Sequence, residues 1–345
     1  WQREINVRDF IVSNVAPYTG GPEFLAKPSA RTLAVWAKLQ PYFRDEAKKG
    51  VLDVDVATPS SLTSHAPGYI DRDNEVIVGL QTDQPFRRAI MPTGGWGMIE
   101  NGLKAIGREP DPAVRETFTK YRKTHNAAVF DLYTPEIRAC RRSSIITGLP
   151  DAYGRGRIIG DYRRVALYGV DRLIEAKKAE RAEIDARWPS EDVMRLREEM
   201  ADQLRALADL KTMAASYGFD VGKPAANARE AVQWTYFGYL GAIKEMNGAA
   251  MSVGRISTFL DIYIERDIAE KALDEAEAQE LIDQLVIKLR IVRFLRTPEY
   301  DALFSGDPYW ATECIGGMAL DGRTLVTRSS FRMLQTLTNL GPAPE

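Results

Sequence analysis

The sequence has little of the two side chains that most often bind metal ions. It contains only 2 cysteines and 2 histidines in 345 residues. Cys140 and Cys314 cannot form a disulfide framework, and their scarcity fits a reducing compartment, so we expect a cytoplasmic protein. A cysteine-rich zinc or iron–sulfur site is excluded. Because His65 and His125 lie far apart in the sequence, a histidine-rich site is excluded as well, and we expect no metal.

The sequence also lacks an excess of charge of one sign and any long hydrophobic run. The 46 Lys and Arg residues nearly balance the 48 Asp and Glu residues, giving a formal net charge of −2. General nucleic-acid-binding proteins are normally basic, so we expect no nucleic-acid partner. No apolar run approaches the roughly 18 residues that a membrane span needs. The first five residues also lack the apolar stretch of a signal peptide, and we expect no membrane partner.

The composition is that of a large folded protein. Hydrophobic residues make up 45% and charged residues 27% of the chain, which are ordinary globular values. The 12 Phe, 14 Tyr and 6 Trp residues exclude a disordered chain. The length allows two ordinary domains or one large one, and because no linker is evident we predict one continuous unit over 1–345. The chain starts without Met and stops in a loop, so we expect further chain beyond both ends.

Several segments have the apolar periodicity of helices. They lie at about 30–49, 98–106, 190–217, 227–239, 274–295 and 327–339. Asn227 with Glu230 and Asp274 with Glu277 are both capping-box patterns. Short apolar or glycine-flanked segments alternate with these helices, at 76–80, 248–252 and 312–318, and the first is a candidate strand. This alternation predicts a helix-rich α/β fold with parallel strands.

The most informative stretch runs from Arg138 to Arg164. It contains seven arginines and no lysine, against only two acids, Asp151 and Asp161. Arginine without lysine favours planar, bidentate binding of a carboxylate or phosphate. Surface ion pairs are the alternative, but the two acids are too few to pair all the arginines. We therefore interpret this stretch as an anion-binding site.

Other enzyme classes lack their motifs. The chain has no GxxxxGK[ST] loop, and its glycines at 154, 156 and 160 do not have the spacing of the dinucleotide fingerprint. No GxSxG motif supports a serine triad with His65 or His125, and both histidines are interpreted as structural or ligand-orienting. Cys140 and Cys314 are interpreted as small buried hydrophobic residues. A catalytic pair of carboxylates remains open, and the residues alone do not define the reaction.

Six phrases spread over the whole chain carry a family resemblance. They are NVRDF at 6–10, YRKTHN at 121–126, TGLPDAYGRGRIIGDYRR at 147–164, NGAAMS at 247–252, FSGDPYWATE at 304–313 and GGM at 316–318. Together they resemble pyruvate formate-lyase, a family of glycyl-radical enzymes. The resemblance implies the N-terminal part of a ten-stranded α/β barrel, built from two five-stranded parallel halves set antiparallel.

The resemblance also implies a reaction and its partners. Members of the family convert pyruvate and coenzyme A reversibly to formate and acetyl-CoA in anaerobic glucose metabolism. Their radical rests on a glycine near the C-terminus and passes to an adjacent Cys-Cys pair. A homodimer and an activating enzyme, an iron–sulfur protein that uses S-adenosylmethionine, are implied as well. A relative acting on 2-ketobutyrate is the alternative, because one methylene changes the binding energy of a pocket by only about 1–3 kcal/mol.

The sequence departs from the family at the residues of the radical chemistry. Cys140 and Cys314 are not adjacent, and nothing near the C-terminus resembles the Arg-Val-x-Gly-Tyr radical loop. We therefore expect no catalytic residue in this chain, and we expect the thiol chemistry to come from a segment beyond Glu345 or from another chain. The chain alone is predicted to be inactive. A non-catalytic, truncated partner at a dimer interface is a further alternative.

The family resemblance implies that four residues bind pyruvate. Arg157 matches the arginine that binds the pyruvate carboxylate, which agrees with the independent argument for a bidentate guanidinium. Ala249, Phe304 and Trp310 match walls of the small substrate pocket. Such apolar walls exclude water from reactive intermediates.

The resemblance also implies that five further residues bind coenzyme A, which is a co-substrate. Phe130 and Tyr153 match two aromatic residues that sandwich the adenine, and core packing is the alternative for both. Arg141 and Arg142 match basic residues near the phosphates. His65 matches a histidine beside the same site.

Overall fold

The computed structural model describes residues 4–90, 96–117, 119, 133–146, 160–245, 251–293, 295 and 311–341. Helices predominate throughout these ranges, and the strands are few and short. Among the described helices, none is both long enough and apolar enough to cross a membrane.

The described elements alternate helices with a small parallel sheet. In chain order the helices are α1 (Val7–Asn14), α2 (Ala30–Lys49), α3 (Trp96–Ala105), α4 (Pro112–Glu116), α5 (Pro135–Arg142), α6 (Arg163–Asp185), α7 (Glu191–Ser216), α8 (Ala228–Glu245), α9 (Ser257–Ala269), α10 (Glu275–Arg290) and α11 (Arg328–Leu340). Strands β1 (Asp53–Pro59) and β2 (Arg87–Ile90) follow α2 and pair in parallel, with Asp53 opposite Arg87. The predicted helix-rich α/β architecture with parallel strands is confirmed.

The helix starts follow the capping signals of the sequence. Asp274 accepts the N–H of Glu277 at 2.8 Å, and the Glu277 carboxylate accepts the N–H of Asp274 at 2.9 Å, so the predicted capping box of α10 is complete. Asn227 accepts the N–H of Glu230 at 2.9 Å, but the Glu230 carboxylate binds the N–H of Ala226 instead. The second capping box is therefore only half formed. Helix α10 also ends at 290, earlier than predicted.

The main hydrophobic core surrounds α8, which packs against α6, α7, α9 and α10. Its aromatic residues Trp234, Tyr236, Phe237 and Tyr239 are all buried. Since α8 is buried on nearly every side, its side chains reach several neighbouring segments at once. The aromatic stripe is thus core, as expected for a helix that is apolar around its whole circumference.

The apolar segment 76–80 is fully buried but does not form the predicted strand. Val76 donates its N–H to Gln284 Oε1 at 2.7 Å, and Val78 donates its N–H to Gln233 Oε1 at 2.7 Å. Gln233 Nε2 in turn donates to the Val78 carbonyl at 2.9 Å. The strand prediction was wrong because glutamine side chains from α8 and α10, rather than a neighbouring strand, satisfy these buried backbone groups.

Candidate functional site

The structure describes three of the nine residues predicted for the site: His65, Arg141 and Arg142. The other six lie outside the described residues: Phe130, Tyr153, Arg157, Ala249, Phe304 and Trp310. The geometry of the site therefore comes from the three described residues and from the described segments that flank the other six.

His65 is held at both ring nitrogens. Its Nε2 lies 3.0 Å from Asp55 Oδ2, and its Nδ1 lies 2.8 Å from Ser64 Oγ. The imidazole is almost fully buried, with 4% of the side chain exposed. Asp55 belongs to β1, and its other carboxylate oxygen accepts the N–H groups of Ala57 and Thr58 at 2.9 and 3.0 Å. The end of the parallel sheet thereby fixes the position of the ring.

The surroundings of His65 favour its neutral form. Burial lowers the pKa of His65, the positive charge of Lys244 lowers it further, and Asp55 opposes both effects. Burial alone would raise the pKa of Asp55, but hydrogen bonds from Ala57, Thr58 and His65 lower it below its usual value. A carboxylate can only accept, so the imidazole proton lies on Nε2. Nδ1 is then an acceptor facing the Ser64 hydroxyl.

Ser64 completes an Asp55–His65–Ser64 line that the sequence motifs did not indicate. In this line the order of nucleophile, base and orienting carboxylate resembles that of a hydrolytic triad. The Ser64 hydroxyl, however, also lies 3.0 Å from the Ser61 carbonyl and accepts the N–H of Ser61 at 2.9 Å. These contacts lock the serine into its own turn, which supports the interpretation of His65 as an orienting residue.

Arg141 and Arg142 occupy the last turn of α5. Arg141 donates from Nη1 to the Tyr133 hydroxyl at 3.1 Å, and its guanidinium carbon lies 5.3 Å from the centroid of the Tyr133 ring. Tyr133 therefore orients this guanidinium through both its ring and its hydroxyl. Arg142 is exposed to solvent. Two guanidinium groups on one exposed helix end can bind an anionic group.

Three described segments meet in what we call the junction, which consists of Arg163, residues 253–257 and residues 312–314. Gly254 and Glu313 form a parallel bridge. It is closed by hydrogen bonds from the N–H of Val253 to the Thr312 carbonyl, at 3.0 Å, and from the N–H of Cys314 to the Gly254 carbonyl, at 2.8 Å.

The third segment enters the junction through Arg163. Its Nη1 donates to the Arg255 carbonyl at 3.2 Å, and its Nε donates to Asp161 Oδ1 at 2.7 Å. This connects the start of α6, at the end of the arginine-rich stretch, with residues 253–257 on one side of the bridge. The three segments of the junction are therefore tied together by backbone and side-chain hydrogen bonds.

Glu313 is the half-buried acid of the junction. Its carboxylate accepts the N–H of Ser257 at 2.9 Å and that of Ile256 at 3.1 Å, at the start of α9. Burial raises the pKa of Glu313 to about 7, against the lowering effect of these N–H groups and of the charge on Arg163. Sequence reasoning did not single out Glu313, because its partners lie more than fifty residues away. Asp55 and Lys244 were missed because neither lies in a recognisable motif.

The two cysteines are both free, and Cys314 corrects a prediction. Cys140 is half-buried, whereas Cys314 is exposed and its Sγ lies 3.5 Å from Arg255 Nη2. The expectation of two buried hydrophobic residues was thus wrong for Cys314. Successive side chains of an extended segment point to opposite sides. Because Glu313 points inward, the next residue, Cys314, points outward. Among the described residues, no group of three or more His, Cys, Asp or Glu could hold a metal ion.

Solved structures of other proteins share the fold of this chain. The glycerol-bound B12-independent glycerol dehydratase from Clostridium butyricum matches with a TM-score of 0.67 at 18% identity, over 97% of this chain and 45% of that one. A glycyl radical enzyme from Archaeoglobus fulgidus matches with a TM-score of 0.59 at 16% identity, over 97% of this chain and 46% of that one. The predicted fold class, the helix-rich α/β fold of glycyl-radical enzymes, is confirmed.

Sequence comparison places the chain more narrowly. The family model described as PFL-like, pyruvate formate lyase-like, matches residues 1–345, and the chain belongs to this family. It is 59% identical to formate acetyltransferase from Haemophilus influenzae and 58% identical to formate acetyltransferase 1 from Escherichia coli, in each case over 100% of this chain. It covers 46% of each relative, so the chain spans about half the length of these relatives.

Proposed function

We propose that this chain is the part of a formate acetyltransferase that binds pyruvate and coenzyme A. The observation that carries the proposal is the 59% identity with a formate acetyltransferase over the whole chain. In this proposal the enzyme converts pyruvate and coenzyme A to formate and acetyl-CoA. A glycyl radical outside this chain supplies the radical chemistry, while the residues of this chain bind and orient the two substrates.

In this proposal the pyruvate site lies next to the junction. Arg157 binds the carboxylate, and Ala249, Phe304 and Trp310 form the walls of the pocket. The junction supports this grouping through chain connectivity. Arg157 precedes the described residue Gly160 by three positions, Ala249 precedes Met251 by two, and Trp310 directly precedes Ala311. These residues therefore lie next to the segments of the junction in the sequence.

The coenzyme A site is proposed at Phe130, Tyr153, Arg141, Arg142 and His65. The exposed end of α5 supports the phosphate role, because its two guanidinium groups suit a phosphate anion. The neutral, buried imidazole of His65 supports an orienting role beside the same ligand. Aromatic stacking on adenine is the part of this proposal that rests on resemblance alone.

We also propose the wider setting that the family resemblance implies. The complete enzyme is a cytoplasmic homodimer of anaerobic glucose metabolism, and a radical-S-adenosylmethionine enzyme activates it. Residues 1–345 form a single unit within it. Pyruvate is the proposed substrate, with 2-ketobutyrate as the alternative.

The test uses the activated full-length protein that contains this chain. We expect formate release from pyruvate and coenzyme A, and we expect Arg157→Lys to lower kcat/KM for pyruvate on the order of 100-fold, because an ammonium cannot replace the planar guanidinium fork. Arg164→Lys is the matched control, since Arg164 lies in the same stretch but is half-exposed and pairs loosely with Asp161 at 3.7 Å. Unchanged kinetics in Arg157→Lys would remove this residue from the role.

The same assay with 2-ketobutyrate in place of pyruvate distinguishes the two substrates. A higher kcat/KM for 2-ketobutyrate would favour the alternative. Absence of formate release from both acids would refute the proposed function.

A further inference from the structure

We propose that Glu313 is a positioning residue for the substrate pocket. Its carboxylate joins residues 312–314 to the start of α9, and these two segments follow the proposed wall residues Trp310 and Ala249 in the sequence. The inference rests on the proposed function, because it concerns the pocket that the previous section assigns to pyruvate.

The first observation is that helix α9 starts without a capping side chain of its own. Its N-cap residue, Ile256, makes no side-chain capping hydrogen bond. The first N–H groups of a helix have no partner within the helix and need an acceptor from elsewhere. Glu313 supplies that acceptor to Ile256 and Ser257 from 57 and 56 residues away. A cap normally comes from a residue next to the helix, so this long-range cap links two distant parts of the chain.

The second observation is the position of this link within the junction. Directly beside the carboxylate, the backbone of Thr312 and Cys314 pairs with Val253 and Gly254. These two backbone hydrogen bonds do not involve the Glu313 side chain. The backbone bridge fixes the two segments at one point, and the carboxylate fixes them at a second. The carboxylate is therefore an attachment additional to the bridge, and it restricts the angle between the segments further.

The third observation is the charge on the third segment. Arg163 donates to the Arg255 carbonyl, and its positive charge acts on the half-buried Glu313 carboxylate. Arg163 lies six positions after Arg157 in the sequence. The same carboxylate that joins the two wall segments is thus electrostatically coupled to the segment that carries the proposed carboxylate-binding arginine.

The alternative is that Glu313 only stabilises α9, as a cap at any helix start does. The two roles differ in what they predict for the two substrates. Loss of a cap that acts on stability alone lowers the amount of folded enzyme. It therefore lowers the maximal rate with both substrates equally and does not change KM for either. A residue that positions the pocket walls raises KM for pyruvate and leaves KM for coenzyme A unchanged. The described coenzyme A residues lie outside the junction, since His65 contacts Asp55 of β1, and Arg141 and Arg142 belong to α5.

The experiment compares variants of the activated full-length enzyme in steady state, with each substrate varied in turn. We expect Glu313→Ala to raise KM for pyruvate about tenfold or more, as displacement of positioned groups does, with KM for coenzyme A within about twofold of wild type. Glu313→Gln keeps the length and one acceptor oxygen, so it should restore KM for pyruvate most of the way.

The matched control is Glu277→Ala. Glu277 also binds an N–H at a helix start, that of Asp274, but it lies at α10 and outside the junction. We expect this variant to lower the melting temperature without changing KM for pyruvate. Should it raise KM for pyruvate as much as Glu313→Ala does, loss of any helix cap would explain the effect and the inference would be wrong.

The remaining outcomes distinguish failure of the positioning role from failure of the proposed formate acetyltransferase function. The positioning role alone is overturned if KM for pyruvate is unchanged in Glu313→Ala. It is also overturned if KM rises equally for both substrates in Glu313→Ala and Glu313→Gln. No formate release by the wild-type enzyme overturns the proposed function, and the inference with it.

Discussion

His65 shows how neighbouring residues determine the protonation of one side chain. Asp55 accepts the proton on Nε2, while burial and the charge of Lys244 oppose a second proton on the ring. Lys244 is itself buried, and its Nζ donates to the Gln81 carbonyl at 3.3 Å. Burial lowers the pKa of Lys244 to about 8, so it is still mostly charged at neutral pH. The neutral state of His65 is therefore imposed partly by another residue.

Replacing Lys244 should change the titration of His65. We expect Lys244→Met to raise the pKa of His65, because the variant removes a positive charge that disfavours the imidazolium. Histidine-selective NMR titration measures this, with His65→Gln to assign the signal. Lys223→Met is the control, since Lys223 lies on the surface with 83% of its side chain exposed. A midpoint that does not move in Lys244→Met, or moves equally in both variants, would contradict the explanation.

At the scale of elements, helix α11 is held against α9 and α10 by buried acids. Asp261 on α9 accepts the N–H of Ser329 at 2.7 Å, and Asp283 on α10 accepts from Asn339 Nδ2 at 2.9 Å. Burial raises the pKa of each of these aspartates to about 6, and their hydrogen bonds oppose this. The attachment of α11 therefore contains groups that bind protons more tightly in the folded than in the unfolded state.

This attachment makes stability depend on pH. Burial raises the pKa of Asp283 in the folded state to about 6, above its ordinary value of 3.8. Its contribution to the free energy of unfolding is therefore complete below about pH 4 and is lost as the pH rises through 6. We expect the free energy of unfolding of wild type, relative to Asp283→Asn, to fall by about 2 kcal/mol from pH 4 to pH 7. Urea denaturation of both proteins at several pH values measures this. The absence of a slope, or a slope of opposite sign, would refute the prediction.

The sequence allowed some elements and residues to be predicted but not others, and the range of the interaction decides which. The capping box of Asp274 and Glu277 is local, and it was predicted correctly. Segment 76–80 is paired by glutamines more than 150 residues away, so its apolar run resembled a strand. Glu313 is likewise recognisable only once distant segments are in place. The arginine-rich stretch indicated an anion site by its composition, but only family resemblance assigned a role to any single arginine.

At the scale of the whole molecule, one buried ion pair joins distant parts of the chain. Lys288 Nζ on α10 lies 2.6 Å from Glu75 Oε2, and both side chains are at most 1% exposed. The other oxygen of Glu75 accepts the N–H of Asp71 at 2.7 Å. This pair thereby fixes the loop before segment 76–80 to the core. A buried charge that loses its partner is far more costly than an exposed one.

Neutralising one member of this pair should destabilise the whole chain. We expect Glu75→Gln to lower the free energy of unfolding by about 3–5 kcal/mol, because it leaves the Lys288 ammonium buried without a counter-charge. Adding Lys288→Met should recover most of that loss. Urea denaturation measures both variants, and Asp45→Asn, which breaks an exposed pair with Lys49, should cost less than about 1 kcal/mol. A double variant as unstable as the single one would show that the charge is not the cause.

The glutamine contacts of segment 76–80 also bear on aggregation. An apolar run such as Val-Ile-Val-Gly-Leu, if exposed, would present free N–H and C=O groups to which a second molecule could add a strand. Gln233 and Gln284 occupy several of these groups, and the helices that carry them cover the run. The folded core therefore keeps these backbone groups from pairing with a second molecule. Partial unfolding that detaches α10 would remove the Gln284 contact and leave the N–H of Val76 without this acceptor.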